Sequence, residues 1–352
     1  MKTEAFQFEL LTPCFCGGAE PDQLAEIRAP SIRGQLRWWF RTLGGFKSLS
    51  GRPVREQEAM IFGSIDGNEG RASQLIVRVK ATLGTRLIST QAKDSDAMNA
   101  GVGTARGYVL FPLRNKSRAV FDQPTLPKFD LLLVWRGDPS LWSDIQALVT
   151  VFGNLGALGF RSRRAMGALA IADAPRSILS SLACFSADSS LLVRALPAKD
   201  GNDAIAVLAN WLKSWRTHGR SPDNKAEQAF PGFKFAKADH DSGFNQSSHE
   251  TYRPAIGLPI IQRYSKIKTT NNWDFGAGGQ REPKGRFASP VILRPYREIA
   301  ASGKPVWRSL VIFVDAHKWP VGKRVYLNGQ PRSVSLELYE AMKNDSRLSK
   351  FP

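Results

Sequence analysis

The stretch from Gly153 to Gly167, GNLGALGFRSRRAMG, concentrates most of the chemistry this chain has to offer. Gly153, Gly156, Gly159 and Gly167 free the backbone for unusual dihedrals and for close approach by a ligand. Arg161, Arg163 and Arg164 add charge, and Ser162 adds a hydroxyl. Amides and planar guanidinium forks in one loop suit a phosphodiester backbone. The loop is not a Walker A motif, because GxxxxGK[ST] is absent. Nor is it a dinucleotide loop, whose glycines open a helix after a strand; these close one. The same residues also fit a basic turn packed against its own fold.

A second cationic array begins at Arg28. Arg33, Arg37 and Arg41 follow at i, i+4 and i+8, so a helix projects them from one face. Ile32, Leu36, Trp39 and Leu43 share another face, suited to a core. Like charges at this spacing repel by about 0.2–0.5 kcal/mol per pair, a cost that a polyanion along the face removes. Trp38 stands beside the stripe, where base stacking would contribute about 1–3 kcal/mol. A solvated helix with Trp38 in a core or a subunit contact fits the same pattern.

Catalytic signals are sparse, and no catalytic residue, metal or cofactor is expected. Metal-free RNA cleavage usually needs a positioned acid and base. Of His218, His240, His249 and His317, three fall in or near polar stretches and none is close in sequence to the glycine-arginine loop. Asp22 sits in an acidic loop with Glu20 and Glu26. Asp239-His240-Asp241 could suggest a metal, but three consecutive residues in a polar loop rarely form a site. Cys14, Cys16 and Cys184 are odd in number without a CxxC, which argues against a disulfide framework and a structural zinc.

Elements that can position these groups follow from periodicity. Phe6, Phe8 and Leu10 alternate with Gln7 and Glu9, a strand pattern ended by Gly17-Gly18. A helix is predicted from Ser31 to Gly44-Gly45. Strands are predicted at Gln74–Thr82, Gly107–Leu113, Asp130–Trp135 and Ala168–Ala172, with a helix from about Asp138 between the last two. The order is β-α-β-β-α-β. Beyond it, helices are predicted at Ala204–Trp215 and Ser335–Lys343. Strands are predicted at Ile256–Gln262, Pro290–Leu293 and Arg308–Val314. Arg220–Glu250 reads as a long polar loop, and Asn271–Gly285 as an exposed one carrying Trp273 and Phe275. The fold class expected is α+β, with tandem ferredoxin-like (RRM-like) domains at 1–175 and 176–352, the second carrying a polar insertion at about 219–250.

Composition sets the class of partner. The chain has 352 residues, 42% of them hydrophobic, enough for packed interiors. Its formal net charge of +18 points to a polyanion. Neither an amphipathic basic helix nor a signal-peptide layout is visible, and no apolar run approaches membrane-spanning length. A soluble cytoplasmic protein is expected.

The ordered motifs resemble those of RAMP proteins, the ferredoxin-like subunits of CRISPR–Cas complexes, and among them the first RAMP subunit of the type III-B (Cmr) effector. The Gly156–Gly167 loop is similar to the family's glycine-rich loop. The segments Leu11-Thr12-Pro13, Gly17-Gly18-Ala19, Pro30–Trp39, Ile61–Ser64 and Phe287–Pro295 also match, in order. Ala165-Met166 departs from the usual Gly followed by an aromatic, which implies a stiffer loop. The resemblance implies assembly with other RAMP subunits on CRISPR RNA, capping of the guide's 3′ region, and help in engaging single-stranded target RNA. Arg286 and Arg294, beside and within the late matching run, join the expected RNA contacts. The alternative is a metal-independent endoribonuclease of the RAMP type.

Overall fold

The computed structural model describes residues 1–66, 69–89, 104–113, 118–122, 124, 126–172, 178–187, 190–217, 230–245, 250–263, 270–275, 285–300 and 302–351. The principal elements run β1 (Lys2–Leu10), α1 (Ala29–Thr42), α2 (Val54–Phe62), β2 (Leu75–Ala81), α3 (Ala105–Leu110), β3 (Lys128–Trp135), α4 (Trp142–Leu155), β4 (Leu169–Ile171), α5 (Ile178–Leu182), β5 (Leu191–Ala198) and α6 (Gly201–Arg216). They continue with α7 (Phe233–Asn245), β6 (Ile260–Arg263), β7 (Thr270–Phe275), β8 (Val291–Ile299), β9 (Pro305–Val314), β10 (Val325–Leu327), β11 (Gln330–Arg332), α8 (Glu337–Lys343) and β12 (Ser349–Lys350).

Two compact units result. The first comprises Met1–Leu208, Leu293–Ile312 and Lys350–Pro352; the second comprises Ala209–Ile292 and Phe313–Ser349. In the first unit, one sheet has the order β2-β3-β1-β4. All three of its pairings are antiparallel, with Phe6 opposite Leu131, Val77 opposite Leu133 and Leu10 opposite Leu169. The alternation along β1 buries Phe6, Phe8 and Leu10, the half-buried pattern of a strand with one face covered. Phe8 stacks on Phe129 of β3 at 5.6 Å and meets Phe152 of α4 at 5.9 Å. Helix α1 contributes Ile32, Leu36, Trp39 and Phe40 to the interior. A second sheet has the order β8-β9-β5-β12.

The second unit is built on an antiparallel sheet of order β6-β7-β10-β11. Its core groups Trp273, Trp319, Val325 and Leu327, with Phe275 and Phe287 packed alongside. Two buried carboxylates pin the surrounding segments. Asp239 accepts from the Tyr252 and Arg253 amides and from Arg253 Nε, each at 2.8 Å. Asp345 accepts from Trp211 Nε1 at 2.8 Å, Trp215 Nε1 at 2.9 Å and Arg347 Nη2 at 2.6 Å.

Several sequence-based expectations are corrected. Gly107–Leu113 is helical, not a strand: Thr104 caps α3 by accepting from the Gly107 amide at 3.0 Å. The polar stretch 220–250 contains α7, in which Asp239 is buried rather than solvated. The expected loop 271–285 begins as strand β7, and Trp273, expected at the surface, is 1% exposed. His218, His249 and residues 276–284 lie outside the described residues.

Candidate nucleic-acid interface

The glycine-arginine loop is held on three sides within the first unit. From one side comes the extended segment after β1. Pro13 accepts from the Gly167 amide at 2.8 Å and Phe15 from the Phe160 amide at 2.9 Å. Thr12 Oγ1 donates to the Ala165 carbonyl at 3.0 Å and accepts from the Ala168 amide at 3.0 Å. From a second side comes β8, where Ala165 N donates to Leu293 O at 2.9 Å and Leu293 N to Arg163 O at 3.1 Å. From the third comes α3, whose Val109 carbonyl accepts from Arg161 Nε at 2.6 Å.

This bracing fixes an unusual backbone. Positive φ occurs at Gly159 (79°), Arg161 (63°), Ala165 (70°) and Gly167 (64°). A Cβ at Gly159 would lie 2.7 Å from the Phe15 carbonyl oxygen, and one at Gly167 would overlap the Leu158 carbonyl. Glycine is required at both places for space as well as for dihedral freedom. Ala165 keeps a left-handed backbone without being glycine, at a cost of about 1 kcal/mol.

Arg294, expected to contact RNA, is instead wholly buried, at 0% exposure. Its Nε donates to Gly156 O at 2.9 Å and its Nη1 to Pro295 O at 3.0 Å. Its Nη2 donates to Gly153 O at 3.0 Å and Leu169 O at 2.5 Å. Gly153 belongs to the last turn of α4, whose carbonyls lack helical partners and carry the negative end of the helix dipole. A cation therefore fits here without a carboxylate. Burial pulls its pKa down to about 9. Arg164 and Gly167 are interior as well; Arg164 is 7% exposed and its Nη1 turns back to the Arg163 carbonyl at 3.0 Å.

The arginine stripe of α1 faces α2, an element the sequence reading did not single out. Glu58 is buried there and accepts from Arg37 Nε at 2.6 Å and Arg41 Nη1 at 2.7 Å. Arg33 Nη2 donates to the Phe62 carbonyl, and the Arg37 guanidinium lies over the Phe62 ring at 5.9 Å. One carboxylate thus offsets part of the repulsion along the stripe. Arg33, Arg37, Arg55 and Arg71 line an open cleft of about 800 Å³ together with Glu56 and Glu58. The helical spacing of Glu58, Ile61 and Phe62, at i, i+3 and i+4, was the signal in sequence for a helix packed on α1.

Helix α1 and the loop meet at Trp38. The Arg163 guanidinium lies 4.9 Å from the centre of the Trp38 ring, and Trp38 packs edge-on against Trp39 at 5.0 Å. Burial lowers the pKa of Arg163. Ser162 is half-buried, and the neighbouring Phe160 is 46% exposed. Arg28 sits half-buried at the cap position of α1. Arg286 is exposed and belongs to the second unit, described separately. Asp22 pairs with Arg118 at 3.1 Å. His240, on α7, stacks on Phe244 at 6.2 Å, and burial lowers its pKa. Among the described residues no group of His, Cys, Asp and Glu is arranged to hold a metal ion, and no helix is long and apolar enough to cross a membrane.

The braced, basic glycine loop follows β1 and α4 and precedes β4 of the first sheet. Residues 7–170 match the RAMP superfamily. It is similar to the CRISPR system Cmr subunit Cmr1-1 of Pyrococcus furiosus, 29% identical over 189 residues that cover 52% of this chain and 51% of the relative. It is also similar to subunit Cmr1-2 of the same organism, 29% identical over 187 residues that cover 47% of this chain and 93% of the relative. The chain thus spans about half the length of Cmr1-1. Among solved structures, apo Cmr1 from Pyrococcus furiosus aligns over 89% of this chain and 88% of that one, at 19% identity and a TM-score of 0.47.

Proposed function

We propose that this chain is an RNA-binding subunit of a type III-B CRISPR–Cas (Cmr) ribonucleoprotein, with no catalytic step of its own. In this reading it joins other Cmr RAMP subunits on CRISPR RNA in the cytoplasm, caps the 3′ region of the guide and helps engage single-stranded target RNA. The carrying observation is the Arg163–Trp38 contact, which joins the loop cations to the helix cations on one unit. The net charge of +18 and the similarity to Cmr subunits over about half the chain support the same partner class. A tandem of ferredoxin-like domains, 1–175 and 176–352, belongs to this reading. Its support is a repeated order: β1-α1-β2-β3-α4-β4 with sheet order β2-β3-β1-β4, and β5-α6-β8-β9-α8-β12 with sheet order β8-β9-β5-β12.

The test is binding of the purified protein to a labelled single-stranded RNA across a salt series. Affinity falls steeply with salt, and replacing Arg161 and Arg163 by alanine weakens binding and makes the log–log salt slope shallower by about 1. An unchanged slope and affinity in that variant would remove the loop from the interface. Specific cleavage of the RNA, with or without divalent metal, would overturn the non-catalytic assignment.

A further inference from the structure

Trp38 was the aromatic expected to stack on a base, but the Arg163 guanidinium already lies on its ring. Within the loop itself, the aromatic that faces outward is Phe160, 46% exposed. Single apolar side chains at a surface are ordinary, so exposure alone decides nothing. Three further observations do.

The first is rigidity. The Phe160 amide donates to Phe15 O at 2.9 Å, the two residues form a bridge, and flanking Gly159 and Arg161 hold positive φ. With its backbone fixed this way, the ring is held at the surface. The second is charge. Arg161, Arg163 and Arg164 follow within four residues, and Arg161 and Arg163 are partly exposed. A hydrophobic protein partner gains nothing from desolvating such cations, whereas a nucleotide offers a phosphate to each and a flat apolar face to the ring. The third is a second exposed ring. Phe111, 64% exposed, lies two residues beyond Val109, whose carbonyl anchors Arg161.

We propose that Phe160 is the stacking platform for one unpaired nucleobase of single-stranded RNA, with Arg161 and Arg163 meeting the adjoining phosphates. The proposal deepens the RNA-binding reading above and rests on it. In it, Trp38 supports Arg163 from beneath and does not touch the base.

The experiment compares wild type, Phe160→Leu and Phe160→Trp by fluorescence anisotropy. The probes are a labelled 12-nucleotide oligouridylate and an abasic oligomer of the same length and charge. Phe160→Leu should bind the oligouridylate about 5- to 50-fold more weakly. Its salt slope should be unchanged, because no phosphate contact is lost. Phe160→Trp should restore binding. On the abasic probe, wild type and Phe160→Leu should be equal. Full affinity in Phe160→Leu, or an equal loss on both probes, overturns the proposal and leaves the RNA-binding reading intact. So does a variant that keeps RNA affinity but no longer assembles with a neighbouring subunit, since the ring is then a protein contact. A wild-type protein that binds neither probe overturns both. Unchanged thermal melting shows that each variant is folded.

Discussion

The guanidinium of Arg294 reaches the carbonyl of Gly156 across 138 residues of sequence, at 2.9 Å. It also takes Gly153 and Leu169, so one side chain brackets both ends of the glycine-arginine loop. Replacing it by methionine leaves buried carbonyls of α4 and β4 without donors, each costing about 1–3 kcal/mol. Arg294→Met is expected to lose at least 3 kcal/mol of stability, measured by denaturant titration. Arg294→Lys should fall between the two, because an ammonium cannot span the same set of carbonyls.

The Glu58 carboxylate holds Arg37 and Arg41 against α2. Both arginines are partly exposed, so the pairs are worth about 1 kcal/mol or less each. Glu58→Gln should therefore cost little stability while leaving the stripe more positive. RNA affinity at low salt should rise, with a salt slope steeper by about 1. Weaker RNA binding in this variant would mean that Glu58 orders the arginines for the ligand.

Glycines here are not equivalent. Gly159→Ala and Gly167→Ala meet backbone carbonyls in a left-handed conformation and should each lose about 2 kcal/mol or more. Gly34, on the exposed side of α1, has open space where a Cβ would go. Gly34→Ala should gain about 0.5–1 kcal/mol, read as a rise in melting temperature.

Acid stability centres on Asp345. Burial by itself would raise its pKa, but hydrogen bonds from Arg347, Trp215 and Trp211 outweigh that and bring it down to about 2. The unfolded value is about 3.9. A depressed carboxylate adds stability above the unfolded pKa and loses it as the pH falls through the folded one. Asp345→Asn should thus melt lower at neutral pH, and its melting temperature should fall less between pH 4 and pH 2 than that of wild type.

How much of this was legible in the sequence depends on whether a signal was local. Phe6, Phe8 and Leu10 announced β1 by alternation, and the arginine spacing of α1 placed three cations on one face. What that face meets was not local: Glu58 lies 17 residues beyond Arg41. The loop was recognisable from its glycines and arginines. Which arginines face outward was not: Arg294 is drawn inward by carbonyls that only the folded chain brings together, and Arg164 is buried along with the loop that β8 braces. Gly107–Leu113 misled because Tyr108, Val109 and Phe111 favour strands, while the Thr104 cap that starts a helix there is a single residue. Trp273 was misplaced for a related reason. The polar and glycine-rich sequence around it outweighed the alternation of β7, whose partners are β6 and β10.

The pairing of Leu293 with Arg163 and Ala165, next to the Arg294 clamp, also sets a schedule. A nascent chain that has reached residue 292 already contains every residue of the loop and neither of the two that secure it from β8. Loop closure over such a span is entropically late. The conformation of the loop is therefore completed only once β8, far downstream in the sequence, has folded against it.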